Sequence, residues 1–455
     1  MREKLGSRLG FILLSAGCAI GIGNVWKFPW LVGQYGGAIF VLIYAFFLIV
    51  LGVPVMTMEF ALGRASQKSP AKLYQELEPK GSKWHIHGIF ALIGNIILMM
   101  FYTTVSGWMI QYFIKMVKGD FVGLDATGVG AEFGNMLADP VMLTVFMGIA
   151  VLIGTLVCVI GVKKGVEGVT KYMMLALLAL MVVLAVNSIF IDGGESGLKF
   201  YLVPNVENIK EAGLPNVITA AMNQAFFTLS LGIGSMAIFG SYLNKDRALL
   251  GEAVNVAVLD TFVAFTSGLI IFPACFAYGV EPGAGPSLIF VTLPNVFNNM
   301  PIGRLWGSLF FLFMSFAALS TVIAVFENII ACIMDLTNWS RKKTSLIVGV
   351  GIFVLSLPCV LGFNVLSGFV PFAEGSGVLD LEDFIVSNIL LPLGSLTFAV
   401  FCVWRYGWGW DKFVAEANTG RGLKIAKWMR PIMTFVVPAI IFIMFIVGIV
   451  TFKYR

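Results

Sequence analysis

Long runs of apolar residues, each separated from the next by a short polar segment, recur along the whole chain. A helix needs about 20 apolar residues to cross a bilayer, and eleven runs come close to that length. The pattern predicts an all-α polytopic membrane protein with helices at about 9–34, 37–64, 86–118, 141–159, 166–190, 215–244, 250–279, 302–336, 342–360, 381–407 and 430–453. The segment 280–301 is too rich in proline and glycine to span, so we expect it to fold back as a re-entrant cap.

Composition narrows the class of protein further. Of the 455 residues, 58% are hydrophobic and only 12% are charged, whereas soluble domains are about half apolar and a quarter charged. This excludes a soluble enzyme. The net charge of +5, with no basic stripe, also excludes a nucleic-acid partner. All six cysteines lie in apolar segments at irregular spacing, so we expect them to be buried and free.

Basic residues are distributed unevenly over the predicted loops. With the N-terminus in the cytoplasm, 22 of the 30 lysine and arginine residues lie on the cytoplasmic side and 8 lie outside. Cytoplasmic loops are the ones enriched in lysine and arginine. We therefore expect a multi-pass protein of the cell membrane, an inner membrane in a bacterium, with a cytoplasmic N-terminus and, after an odd number of helices, an extracellular C-terminus.

Two of the predicted helices are interrupted near their middle. The first carries glycines at 17, 21 and 23, and the sixth carries the segment 228–234, TLSLGIG. Interrupted segments at corresponding places in two halves are typical of transporters built from inverted repeats. We expect one transmembrane domain, 1–455, with repeats at about 9–190 and 215–407 and an extra helix at about 430–453. The alternative for the first helix alone is that Gly17 and Gly21 form a small-residue packing face.

Such interruptions create a specific kind of binding site. Unwound carbonyl groups offer hard oxygen ligands to a small cation, and the freed amides at the start of the next half-helix attract an anion. One site can therefore hold a sodium ion and a carboxylate together.

Four segments resemble the neurotransmitter:sodium symporter family: RLGFILLSAGCAIGIGNVWKFPWLVGQYGGAIF, GVPVMTMEFALGR, NQAFFTLSLGIGSM and FAALSTVIAVFEN. The resemblance runs from residue 2 to about 410. It implies the inverted-repeat leucine-transporter-like fold, with helices 1 and 6 unwound at mid-membrane. It also implies a sodium-coupled symporter that imports amino acids by alternating access.

The resemblance implies two sodium sites. The residues of the first are Ala19, Asn24, Thr228 and Asp260, and those of the second are Gly17, Ile20, Ala317, Ser320 and Thr321. Asp260 is the strongest candidate, because an acid within the membrane is costly and usually functional. For two others an alternative stays open: Asn24 can simply cap its half-helix, and the hydroxyls of helix 8 can bond to the carbonyl one turn earlier.

The implied substrate site is an apolar chamber with a polar end. Its residues are Ala19, Ile22, Gly23, Leu98, Tyr102, Phe227, Thr228, Ser230, Ile233, Thr321 and Val325. Amine transporters of the family resemble one another in an aspartate where this chain has Gly21, so the substrate here should bring its own carboxylate. We expect hydrophobic L-amino acids, aliphatic or aromatic.

By the same resemblance, gates flank the site. Lys27 and Asp383 would form the outer latch, and Arg2 and Asp335 the inner latch with Tyr242 beside them. Lysine lacks the planar fork of arginine, so we expect a loose outer latch. We also expect Glu59 to hydrogen-bond the unwound backbone of helix 6, with snorkelling to the surface as the alternative. The family often has a proline separated by nine residues from a glycine of helix 5, but Leu175 stands at that distance from Gly165. Either another hinge opens the inner path or the return step is slow.

The resemblance also bears on chloride. Animal members hold a chloride ion near the first sodium, and the matching positions here are Tyr44, Gln224, Ser230, Asp260 and Ala264. A carboxylate at Asp260 can supply the balancing charge, so we expect chloride-independent transport, with proton countertransport when Asp260 exchanges sodium for a proton. The alternative is an Asp260 that is held neutral and only forms hydrogen bonds.

Two other functional classes stay open at the level of sequence. A transport-inactive sensor would use a cytoplasmic output segment, for which 408–429 is the longest candidate. A channel would need a continuous polar lining, whereas the chain offers isolated polar positions. The expected partners are a small amino acid and the lipid bilayer, without an obligate protein partner.

Overall fold

The computed structural model describes residues 3–279 and 287–450, except for the side chains of Asn208, Glu211 and Ala212. Within these ranges the regular elements are helices and no β-strand is formed. The predicted all-α class is therefore confirmed. The main helices are α1, Arg8–Ala19 and Gly23–Gln34; α2, Ala38–Ser66; α3, Ile86–Lys118; α4, Pro140–Ile160; α5, Val162–Ile189; α6, Leu214–Thr228 and Ser235–Ser241; α7, Leu249–Ala277; α8, Gly303–Thr337; α9, Arg341–Leu361; α10, Val378–Val403; and α11, Met429–Val450.

Nine of the helices in the described ranges are individually long and apolar enough to cross a membrane, and the two halves of α1 form a tenth span bent by 58°. Helix α6 is not among them, since neither half is long enough to span alone and the six residues 229–234 separate the two halves. The count of eleven crossings therefore stays a prediction. In the most apolar window of α8, 83% of the residues are buried, against 28% in α11. Thus α8 lies at the centre of the bundle and α11 at its edge.

The connections contain short helices: Pro70–Leu77, Ala126–Ala138, Glu195–Leu202, Val206–Ala212, Leu293–Asn299 and Trp410–Ala417. Residues 280–286 of the predicted cap lie outside the described residues. The part from 287 onward folds back against α3, where the Tyr112 hydroxyl donates to the Phe290 carbonyl at 3.0 Å. Trp108 also packs on Phe290, with ring centroids 5.5 Å apart. This described part behaves as the sequence predicted.

Local sequence signals set several helix ends. The hydroxyl of Ser7 accepts the Gly10 amide at 3.0 Å and caps α1. Asp139 accepts two amides, those of Val141 and Met142, at the start of α4. Gly119 ends α3 with φ 88°, a conformation that favours glycine.

Close backbone contact fixes the second half of α6 against α2. A Cβ atom on Gly63 would lie 1.8 Å from the Ala237 carbonyl oxygen, and one on Gly240 would lie 2.4 Å from the Phe60 carbonyl oxygen. Small residues allow membrane helices to approach this closely. The contact brings Glu59 of α2 to the interruption of α6.

Candidate substrate and sodium site

The first helix is interrupted between Ala19 and Gly23. Two amides freed by the break have new partners: the Gly21 amide donates to Oδ1 of Asn24 at 3.1 Å, and the Ile22 amide donates to the Tyr102 hydroxyl at 3.1 Å. An unwound segment inside a membrane is tolerated only where such partners exist. The break is therefore held in place by α3 as well as by α1 itself.

The sixth helix is interrupted between Thr228 and Ser235, where Ser230, Gly232 and Gly234 all have positive φ values. A Cβ atom on Gly232 would lie 2.1 Å from the Leu391 carbonyl oxygen, so only glycine fits there. The Gly232 amide donates to Oε1 of Glu59 at 2.7 Å. This confirms the predicted role of the buried Glu59 in supporting the unwound backbone.

A cavity lies between the two interruptions, and α3, α8 and α10 close its sides. Most of the predicted substrate residues line it; Ile22 and Val325 are buried but do not line the cavity. Two lining residues were missed from the sequence, Cys18 and Leu391, since an apolar residue within a spanning helix carries no signal of its own. The predicted residues on the lining are Ala19, Gly23, Leu98, Tyr102, Phe227, Thr228, Ser230, Ile233 and Thr321.

The side chains predicted for the first sodium site are in direct contact with one another. The Asn24 amide group donates to Oδ1 of Asp260 at 2.7 Å and to the Thr228 hydroxyl at 2.9 Å. The Thr228 hydroxyl donates to the second carboxylate oxygen of Asp260 at 2.9 Å. All three residues are buried. Asn24 also accepts the Gly21 amide, so the bond expected of a cap is present beside the proposed ion ligands.

The groups predicted for the second sodium site converge on the Thr321 hydroxyl. Its distances to the carbonyl oxygens of Gly17, Ile20 and Ala317 are 3.2, 3.4 and 3.4 Å. The Ser320 hydroxyl donates to the Ala317 carbonyl at 2.9 Å. The bonds to Ala317 lie within α8 and fit the alternative in which each hydroxyl bonds to a carbonyl of its own helix. The contacts with Gly17 and Ile20 do not, because these residues belong to the interrupted α1. Three carbonyl oxygens and two hydroxyls of α1 and α8 thus lie close together, and they are the kind of donors a hard cation prefers.

We expect Thr321→Ala to raise the sodium concentration for half-maximal uptake about tenfold or more, because a partner of a charged group contributes about 1.5–3 kcal/mol. Ser241→Ala is the matched control, since that buried hydroxyl bonds to the Ile238 carbonyl of its own helix at 2.7 Å. Thr321→Ser should restore the native value. Sodium titrations of labelled amino-acid uptake measure the effect, and equal results for the two alanine variants would contradict the second sodium site.

The outer latch differs from the expected one. The Lys27 ammonium lies 4.0 Å from the centroid of the Phe227 ring, and Asp383 accepts from the Ser387 hydroxyl at 2.7 Å. Among the described residues neither side chain joins an ion pair, so the expected Lys27–Asp383 pair is not formed in this structure. A flexible ammonium gains a cation–π contact on the ring. Phe227 therefore lines the cavity and also binds the Lys27 ammonium.

The inner side carries a larger polar network than the sequence analysis foresaw. Arg2 lies outside the described residues, and Asp335 accepts the Ser69 amide at 2.7 Å. Tyr242 donates to Glu327, whose carboxylate forms two hydrogen bonds with Arg341 at 2.7 and 2.9 Å. This network joins α6, α8 and α9. Glu327 is an acid within a membrane helix, and that signal alone could have identified it.

The N-terminal segment is also attached to this inner network. Glu3 pairs with Arg341 at 3.2 Å. Glu167, in the wide helical turn that begins α5, accepts the amides of Gly6 and Ser7 at 2.6 and 3.1 Å. The start of α1 is thus tied to α5 and α9 at once.

One of the positions matched to the chloride site needs correction. The Ser230 hydroxyl donates to the Cys18 carbonyl at 3.2 Å and does not contact Asp260. Thr228 occupies the place next to the carboxylate, and the Tyr44 hydroxyl approaches it at 3.4 Å.

Two interrupted helices that enclose a cavity with hard oxygen ligands, inside a bundle of membrane-length helices, define a polytopic secondary transporter. The particular family follows from comparison with known proteins. A model of the sodium:neurotransmitter symporter family matches residues 2–122 and 131–455. The chain belongs to this family, as its motifs suggested, and it is a sodium-dependent symporter rather than an enzyme.

Individual relatives agree with this assignment. The sodium-dependent transporter YhdH of Bacillus subtilis is 35% identical over 98% of both chains. The sodium-dependent transporter MJ1319 of Methanocaldococcus jannaschii is 31% identical, over 97% of this chain and 89% of its own. The crystal structure of MhsT in complex with L-phenylalanine is similar over 98% of this chain and 100% of that chain, at 36% identity and a TM-score of 0.88.

Proposed function

We propose that this protein imports hydrophobic L-amino acids together with two sodium ions, without chloride, across a bacterial inner membrane, with its N-terminus in the cytoplasm. The observation that carries the proposal is the cavity between the two interrupted helices. Its polar lining includes Tyr102, whose hydroxyl accepts the Ile22 amide, and Asn24 and Thr228, which contact the buried Asp260. The rest of its wall is largely apolar.

The polar end suits the carboxylate of an amino acid. Ile22 and Gly23 begin the second half of α1, where the helix dipole favours an anion. The Tyr102 hydroxyl accepts from Ile22 and keeps its own proton for the substrate. Carbonyl oxygens of the two interrupted segments, around Ala19 and Phe227, would receive the ammonium group.

The apolar wall sets the class of side chain. Leu98 of α3, Phe227 and Ile233 of the interrupted α6, and Leu391 of α10 present aliphatic and aromatic surface. Binding energy in such a chamber grows with the apolar area that the substrate buries. The bound L-phenylalanine in the similar MhsT structure supports the same class.

Sodium is the cargo that drives import. The first ion would lie at Asp260, where the substrate carboxylate completes its ligands and couples the two binding events. The second ion would hold the first half of α1 to α8 at Thr321. When the first ion leaves, a proton at Asp260 would neutralise the buried charge, so the empty carrier would return with a proton.

The test is uptake of labelled L-phenylalanine and L-leucine into proteoliposomes with an inward sodium gradient. We expect accumulation above the external concentration, loss of accumulation when potassium replaces sodium, and competition by other hydrophobic L-amino acids but not by L-aspartate or L-lysine. A sensor would bind without accumulating, and a channel would only equilibrate the label, so either result would refute the proposal. Alkalinisation of the vesicle lumen, followed with a trapped pH dye, would show proton export.

A further inference from the structure

A second cavity lies outside the site described above, between α3 and α10 at the end of the bundle where α3 begins. Its volume is about 330 Å³, and its lining includes Ala91, Gly232, Leu393 and Gly394. The flanking side chains Ile86, Phe90 and Leu393 are 45, 53 and 37% exposed. Because these are apolar surfaces of membrane-length helices, the cavity opens toward lipid tails and not toward water.

The residues at the mouth of this cavity are of the types that are common where a membrane meets water. Lys83 lines it and is exposed, and within the described ranges its ammonium forms no ion pair. The Trp84 indole donates to the Tyr406 carbonyl at 2.9 Å, and Arg405 lies beside the Tyr406 ring. Tryptophan and tyrosine concentrate at headgroup level. A free cation at that level, above an apolar cavity, matches an anionic headgroup above its acyl chain.

We propose that this cavity binds one acyl chain of an anionic phospholipid, with the lipid phosphate at Lys83. Under the proposed orientation, the lipid belongs to the cytoplasmic leaflet. The aliphatic stem of Lys83 lies along the chain while its ammonium reaches the phosphate.

The inner end of the cavity connects this lipid to the transport site. Ile233 lines both cavities, and Gly232 beside it belongs to the interruption of α6. A Cβ atom on Gly394 would lie 1.9 Å from the Gly232 carbonyl oxygen, so α10 and the unwound segment are in direct backbone contact. An acyl chain in the cavity therefore packs against the segment that also forms the substrate site.

The headgroup is tested by native mass spectrometry of the full-length protein titrated with phosphatidylglycerol or phosphatidylcholine of identical chains. We expect one tightly retained phosphatidylglycerol, and about fivefold weaker retention by Lys83→Gln, because one basic residue near an anionic surface contributes about that factor. Lys83→Arg should retain it, and so should Lys80→Gln, an exposed neighbour that does not line the cavity. Equal retention of the two lipids, or an unchanged Lys83→Gln, would overturn the proposal.

The cavity itself is tested by filling it. Thr397 lines the wall, so Thr397→Trp should reduce phosphatidylglycerol retention. Val350→Trp, at a position of α9 that is 67% exposed, adds the same side chain elsewhere on the lipid-facing surface and should leave retention native. If Thr397→Trp still holds the lipid as tightly as the native protein does, the chain lies elsewhere and the proposal fails. Neither result affects the uptake experiment, which concerns the other cavity.

Discussion

Replacing Gly21 with aspartate is expected to abolish amino-acid uptake. A Cβ atom at this position would lie 2.4 Å from the Tyr102 hydroxyl oxygen and 3.0 Å from the Thr321 hydroxyl oxygen. The new carboxylate would therefore project between the proposed carboxylate site and the second sodium site. Two unit charges about 4 Å apart repel by about 4 kcal/mol at an effective dielectric constant of about 20. That corresponds to a loss of about a thousandfold in substrate affinity.

The control for this substitution separates charge from size. Gly21→Asn adds nearly the same volume without the charge, so it should weaken binding by less than Gly21→Asp does. Equilibrium binding of labelled L-phenylalanine to purified protein, at saturating sodium, measures both variants. Thermal unfolding shows whether they fold. A Gly21→Asp variant that folds and binds the amino acid with near-native affinity would show that the substrate carboxylate lies elsewhere.

The sequence predicted best those structural features that a local residue pattern and a strong physical constraint of the membrane determine together. Interrupted helices inside a membrane need compensating partners, so the breaks at 17–24 and 228–234 were visible from glycine positions alone. Glu59 followed from the same reasoning, because an acid close to an unwound segment has amides to accept. The family resemblance supplied the ligand sets that composition and spacing left open.

Sequence reasoning was weaker for contacts between distant segments. It paired Lys27 with Asp383, but the geometry places the ammonium on the Phe227 ring. It did not connect Glu327 with Arg341, because the two residues belong to different helices and their pairing depends on how α8 and α9 meet. Which apolar residues face a cavity is decided in the same way, and this explains why Leu391 was missed. These features depend on how the helices pack against one another, and the periodicity of apolar residues within one helix does not show that.

The inner network has a consequence for the conformational cycle. Glu3, Glu167 and Arg341 attach the first residues of the chain to two helices at once. We expect any movement that takes the first half of α1 away from α5 and α9 to break these contacts together. The ion pair of the partly exposed Glu3 is individually weak, whereas the buried Glu167 accepts two amides.

The surroundings of Asp260 lead us to expect uptake that does not depend on chloride. Its buried carboxylate accepts from Asn24, Thr228 and Tyr44, so donors that could hold a chloride ion are already directed at a fixed negative charge. One turn further along α7, Ala264 offers no side-chain donor. A carboxylate in this position can ligate sodium and balance its charge without an additional anion. We therefore expect uptake by the native protein to be the same when gluconate replaces chloride.

Removing the negative charge of Asp260 from α7 should make transport depend on chloride. Asp260→Asn removes the carboxylate while keeping its shape, and uptake should fall sharply in gluconate because the ion site loses its compensating charge. Asp260→Asn combined with Ala264→Ser adds a hydroxyl donor beside the amide, so chloride should restore part of the rate. Ala264→Ser alone is the control and should remain independent of chloride. Native uptake that stops without chloride would refute the proposed role of Asp260. A double variant stimulated by chloride would place the compensating charge on α7, because the chloride ion would then supply the negative charge that the Asp260 carboxylate supplies in the native protein.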